Sequence, residues 1–286
     1  MGELGELGEL GELDELGRRA GLGGLDVIDP RYRPLYDRAL EVLTADPRVM
    51  SVHPSGSVAS KTADQWSDLD LQIVTEPDGF GAFLDAWPIW LAAITPTVFA
   101  RTPIAPFIIN AVTADGLTLD LAVYSGSVPE FPWPPTQYVV GMLANRRFDS
   151  LGEALEYAVA EQLRGMAGPF ISLVQREEHL RHLLGLPHIM GLLTTVFLAE
   201  TGSPPPAKHW NRTFTEEQLQ AVATLPPARA TREDIIAFGL AVAEMGISRA
   251  RPLYPRYRLT WPAQLAAVVA DRVQDQLGVD VHPWLY

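Results

Sequence analysis

Apolar residues recur along this chain at two periods, and the change from one to the other divides it. In residues 31–46, Leu35, Ala39, Leu40 and Leu43 stand three and four apart and predict a helix. A short apolar run over residues 49–53 reads as a strand, and Pro54-Ser55-Gly56-Ser57 reads as a turn. The residues after Gly56 predict a short helix that ends before Lys61. In DLDLQIV, residues 68–74, the period is two: Leu69, Leu71 and Ile73 share one face, and Asp68, Asp70 and Gln72 the other. From Phe80, FGAFLDAWPIWLAAI reads as a helix that Pro88 disturbs. Two β-rich runs then flank Asp115-Gly116, a favoured two-residue hairpin turn. In the second run Leu117, Leu119, Leu121 and Val123 face one way, and Thr118, Asp120, Ala122 and Tyr124 the other.

A Pro-rich connection, SGSVPEFPWPP over residues 125–135, ends this part. Beyond it the period is helical to the end. Residues 151–202 supply two or three helices, SPPPAKHWNRTF a loop, and Thr215 and Thr231 stand where N-caps belong. The pattern predicts an α+β chain: a mixed sheet with flanking helices over residues 26–135, then a helical bundle over residues 136–286. The first 25 residues repeat Gly-Glu-Leu. A Leu repeat of three drifts around a helix instead of holding one face, and a Gly in each triplet costs about 1 kcal/mol against Ala. This stretch is expected to be a mobile tail.

The composition narrows the function classes. The 286 residues are 47% hydrophobic and 20% charged, enough for two packed domains. A net charge of −13 opposes a broad nucleic-acid surface and suits a cationic small substrate or metal ions. No cysteine is present, which excludes disulfides and thiolate metal sites and fits a reducing cytoplasm. The N-terminus lacks the basic and apolar regions of a signal peptide. The most membrane-like run, residues 183–199, contains Pro187 and His188 and falls short of the roughly 20 residues of a span. It is expected to be a buried bundle helix, with no membrane partner.

Asp68, Asp70 and Asp120 hold same-facing positions on two predicted strands, so pairing of those strands would converge three carboxylates. Such carboxylates repel and raise one another's pKa, and the ordinary remedy is a divalent cation. Oxygen ligands suit Mg²⁺, which also takes substrate phosphates as ligands. Gly56 lets the backbone approach a phosphate, Ser57 offers a hydroxyl, and the N–H groups opening the next helix attract anions.

An apolar strand, Gly-Ser, about ten residues, Asp-x-Asp and a later strand acid follow one another here as residues 49–52, Gly56-Ser57, Asp68-Leu69-Asp70 and Asp120. In that order they resemble the nucleotidyltransferase superfamily related to DNA polymerase β, and SDLDL, residues 67–71, is close to the common family wording. The helical C-terminal half looks most like the aminoglycoside and lincosamide nucleotidyltransferases. Motifs support the resemblance over residues 45–125 and helical character alone beyond them. His53-Pro54, before the Gly-Ser turn, departs from a smooth apolar strand.

The resemblance implies a nucleotidyltransferase-fold enzyme. It would transfer a nucleoside monophosphate, usually AMP from ATP, to a hydroxyl of a small acceptor, with Mg²⁺ and release of pyrophosphate. On it, Asp68, Asp70 and Asp120 are the catalytic and metal-binding residues, Gly56 and Ser57 seat the triphosphate, and ATP or another nucleoside triphosphate is the co-substrate. The acidic balance suits a cationic acceptor such as an aminoglycoside, bound between the two domains. Lys61, one of two lysines, and Lys208, clustered with His209 and Arg212, are further candidates for the triphosphate. The base is Asp120 or Glu130. Glu178 and His182, four apart, would share a helix face and offer two ligands to a metal. Two alternatives are a toxin–antitoxin-type transferase modifying a protein or tRNA, opposed by the low basic content, and a silent nucleotide-binding module, opposed by the intact carboxylate trio.

Overall fold

The computed structural model describes residues 25–102, 107–128, 148–205 and 209–285. They form two compact units, one within residues 1–133 and one within 134–286. The first is α+β and the second is helical among its described residues. The Gly-Glu-Leu repeat, Glu130 and Lys208 lie outside the described residues.

In the sheet unit, α1 (Tyr32–Thr44) leads into β1 (Val49–Pro54), a single turn α2 (Gly56–Ala59) and β2 (Leu69–Thr75). Next come α3 (Phe80–Asp85), α4 (Trp87–Ile94), β3 (Thr97–Arg101), β4 (Ile108–Thr113) and β5 (Thr118–Ser125). The strand order is β1-β2-β5-β4-β3. Only β2 and β5 run parallel; every other pair is antiparallel. The alternating apolar residues do what their period implies. Leu69, Leu71, Ile73, Leu119, Leu121 and Val123 are fully buried in one cluster with Leu35, Ala39 and Leu43 of α1 and with Phe83 and Leu91 of α3 and α4. Tyr32 ties α1 to the sheet, its hydroxyl accepting from the Thr118 N–H at 3.1 Å. Pro54 ends β1, an edge strand, where a missing N–H is tolerated.

Of three local expectations, two are corrected. Pro88 falls in the first turn of α4, so the run from Phe80 forms two helices. The short helix expected after Gly56 is present and ends before Lys61; at one turn it is too short to develop a macrodipole. The β4–β5 hairpin closes through three residues, not two: the Thr113 N–H donates to the Leu117 carbonyl at 2.9 Å, leaving residues 114–116 in the loop. Gly116 takes the left-handed conformation, φ 84°, that this loop needs in its last position. A one-residue change in loop length moves the whole register, with consequences for the site below.

The helical unit comprises α5 (Leu151–Ala167), α6 (Pro169–Gln175), α7 (His179–Thr201), α8 (Trp210–Thr213), α9 (Glu216–Ala223), α10 (Arg232–Ala250), α11 (Leu253–Arg256), α12 (Ala263–Leu277) and α13 (His282–Leu285). Thr215 and Thr231 cap α9 and α10, and Gln218 completes a capping box with Thr215. The apolar run beyond residue 183 is longer than expected. Helix α7 continues through Pro187 for 23 residues and meets the length and composition of a membrane span. Its C-terminal half is core: Leu192, Leu193, Val196, Phe197, Leu198 and Ala199 are buried. At that end Arg249 of α10 pairs with Glu200 of α7 at 2.9 Å and with Glu217 of α9 at 2.7 Å. These hydrogen bonds to two carboxylates raise the Arg249 pKa further.

Candidate metal centre

The parallel seam between β2 and β5 builds the site. Asp70 and Asp120 are direct partners in its register. Each stands between fully buried leucines, Leu69 and Leu71 on one strand, Leu119 and Leu121 on the other. Alternation therefore sends both carboxylates to the face opposite the core. Asp68 precedes β2 by one residue and is delivered by a tight turn. There Asp64 accepts from the Trp66 N–H at 3.0 Å, and the Ser67 hydroxyl bonds back to Asp64. One oxygen from each of Asp68, Asp70 and Asp120 lies within 4.8 Å of the others, and all three residues are half-buried.

The electrostatics follow. The Asp70 carboxyl is pushed up to about 8, first by burial, then by the charges of Asp68 and Asp120. A donor set of three carboxylate oxygens, crowded enough to retain a proton, fits a hard divalent cation such as Mg²⁺. Among the described residues this trio is the group of three metal-ligating side chains. Glu178 and His182 gain no third ligand among the described residues; Glu178 pairs with Arg181 at 2.9 Å, and His182 is buried.

The Gly-Ser turn lies against the same carboxylates. The Ser55 N–H donates to the Asp70 carbonyl at 2.8 Å, pinning the turn to β2. Gly56 is left-handed, φ 53°, and a Cβ there would overlap Asp70 Oδ2. Only glycine satisfies both conditions. The Ser57 hydroxyl is buried without a hydrogen-bond partner. An orphaned donor beside a carboxylate cluster fits a ligand that brings both a cation and acceptor oxygens. Lys61 ends the turn, exposed and left-handed at φ 59°. Its ammonium makes no ion pair among the described residues. His209 and Arg212 are exposed on the helical unit.

Sequence reasoning missed Asn110 and Arg101. Asn110 Nδ2 donates to Asp120 Oδ1 at 2.6 Å and orients that carboxylate. A two-residue hairpin turn would have set Ala111 opposite Asp120; the three-residue loop sets Asn110 there. Arg101 on β3 pairs in turn with Asn110, so Arg101, Asn110, Asp120 and Asp70 form one row across four strands. The signal was the loop length, because the register that creates the row depends on it.

No protein-family model matches the sequence, and no curated protein does. Four solved chains resemble the structure. One is an aminoglycoside 6-adenyltransferase from Bacillus subtilis, 11% identical, matched over 83% of this chain and 95% of that one with a TM-score of 0.35. A likeness at that score carries no functional weight, so the function proposed below rests on the site itself.

Proposed function

We propose that this protein is a Mg²⁺-dependent nucleotidyltransferase that moves a nucleoside monophosphate, AMP from ATP, to a hydroxyl of a small cationic acceptor such as an aminoglycoside. The observation that carries the reading is the in-register pairing of Asp70 with Asp120, with Asp68 and the Gly56-Ser57 turn against them. In the reaction the acceptor oxygen forms a bond to the α-phosphorus, the bond from that phosphorus to the bridging β-oxygen breaks, and pyrophosphate leaves. The hydroxyl proton goes to a carboxylate base, Asp120 in this reading.

Asp68, Asp70 and Asp120 would hold the cation. When bound, Mg²⁺ neutralises charge on the triphosphate and favours in-line displacement. Gly56 contributes close backbone approach, and Ser57 contributes its unpartnered hydroxyl to a phosphate oxygen. Asn110 keeps Asp120 in one orientation through its 2.6 Å hydrogen bond. The net charge of −13 favours a cationic acceptor by long-range attraction.

The test incubates the full chain with Mg²⁺, each common nucleoside triphosphate and a panel of aminoglycosides and lincosamides, followed by mass spectrometry and a pyrophosphate assay. The expected product is a drug heavier by one nucleoside monophosphate, absent with Asp70→Asn. Transfer onto protein or tRNA in place of any drug would overturn the acceptor class, and no transfer to any acceptor would overturn the reaction.

A further inference from the structure

The strand register sets a second row of side chains beside the carboxylates. Asp70, Asp120, Asn110 and Arg101 make the first row. Two residues further along β2, Gln72 pairs with His53 of β1 and with Ala122 of β5, and Ala122 pairs with Ile108 of β4. Two residues is one full period of a strand, so this row stands on the same face as the carboxylates. The alternation on β1 agrees: Val52 packs against the core, which turns its neighbour His53 to the opposite face. His53 and Asp70 are diagonal neighbours across an antiparallel pair, about 7–8 Å apart and within reach of an aromatic side chain. His53 is exposed and Gln72 is half-buried. Among the described residues neither side chain has a hydrogen-bond or ion-pair partner.

The geometry of the reaction gives this row a role. In-line displacement puts the entering acceptor oxygen and the leaving pyrophosphate on opposite sides of the α-phosphorus. The Gly56-Ser57 turn, the phosphate seat in the reading above, follows β1 and lies against Asp70. The pyrophosphate side of the centre is therefore the β1 side, and the acceptor side is towards β5 and β4. His53 is on β1, three residues before Gly56. Between them Ser55 is bonded to the Asp70 carbonyl, so the turn and the imidazole flank one stretch of the same face.

Charge asks for donors there. Three carboxylates already crowd the centre, and a triphosphate adds further negative charge. An imidazole offers at least one N–H donor in either protonation state, and a primary amide offers two. Both suit phosphate oxygens, and neither adds negative charge. We propose that His53, with Gln72 beside it, holds the pyrophosphate end of the nucleoside triphosphate through hydrogen bonds to its terminal phosphate oxygens. The inference rests on the nucleotidyl-transfer reading and adds to it a determinant of triphosphate over monophosphate.

The test is calorimetric titration of the full chain in MgCl₂ with ATP, with pyrophosphate and with AMP, no acceptor being present. His53→Ala is expected to weaken ATP and pyrophosphate binding about tenfold, the effect of one hydrogen bond to a charged group. It should leave the affinities for AMP and for Mg²⁺ unchanged, whereas a merely structural role would move all four together. His53→Phe, which keeps a ring but no donor, should show the same loss and replaces the alanine variant if that one fails to fold. His53→Gln, which restores a donor, should recover most of the lost pyrophosphate affinity. Parent-like affinity of the alanine and phenylalanine variants for pyrophosphate would overturn this inference and leave the transfer reading standing. So would an equal loss of AMP affinity, which would put His53 at the nucleoside end. A parent chain that binds neither ATP nor pyrophosphate at millimolar concentration would overturn the transfer reading and this inference with it.

Discussion

Replacing Asp70 by asparagine should stabilise the metal-free protein while abolishing its response to Mg²⁺. In the folded state Asp70 keeps its proton until about pH 8, whereas its ordinary value is 3.8. Between those values the unfolded chain binds fewer protons than the folded one, so stability falls as pH rises and levels off above pH 8. The slope from one such group is about 1.36 kcal/mol per pH unit. At neutral pH the accumulated loss is about 4 kcal/mol at most, because relaxation of the half-buried trio reduces it. Asparagine is nearly isosteric and does not ionise, so the variant escapes this loss. Mg²⁺ acts in the opposite direction in the parent protein, since it needs the ionised carboxylates. At a concentration of about 100 times its Kd it adds about 2.7 kcal/mol, and more of that is realised as pH rises. Urea denaturation in EDTA and in MgCl₂, at about pH 5, 7 and 9, separates the two effects. An Asp70→Asn protein that is less stable than the parent at high pH in EDTA would refute the reasoning. A variant that gains as much from Mg²⁺ as the parent does would refute the metal assignment.

Gly56→Ala forces a left-handed alanine and a clash with Asp70 Oδ2, so transfer activity should fall by at least about a hundredfold; parent-like kinetics would show that the turn does not approach the carboxylates. Asn110→Ala removes the bond that orients Asp120 and should weaken Mg²⁺ binding by about 10–100-fold, measured by calorimetry, with little loss of stability. In the helical unit, Arg249→Ala should cost about 2–4 kcal/mol in denaturant melts by leaving the half-buried Glu200 uncompensated. Glu217→Ala should leave the denaturation midpoint almost unchanged, because that partner is exposed and its pairing is screened by solvent.

Much of this structure was legible because strand alternation is a local property. The faces of β2 and β5 follow from Leu69, Leu71, Leu119 and Leu121 alone, and with them the side on which Asp70 and Asp120 stand. Register is not local. The Asp-Gly pair suggested a two-residue turn, and the extra residue in the loop brings Asn110, not Ala111, to Asp120. Pro187 misled for a related reason: a proline removes one hydrogen bond, yet packing of the following apolar residues keeps α7 continuous.

The seam between β2 and β5 also has a consequence for how the chain folds. The β1–β2 pair and the β3–β4–β5 meander each form from strands close in sequence, whereas the seam joins residues fifty apart, Asp70 to Asp120. Closing it is the slow, high-separation step, and it presses like charges together as it happens. A proton or a cation relieves that repulsion at the moment of docking. Refolding of the parent chain should therefore be faster in MgCl₂, or below neutral pH, than in EDTA above pH 8. The carboxylates of the candidate site thereby also govern how readily the two halves of the sheet meet.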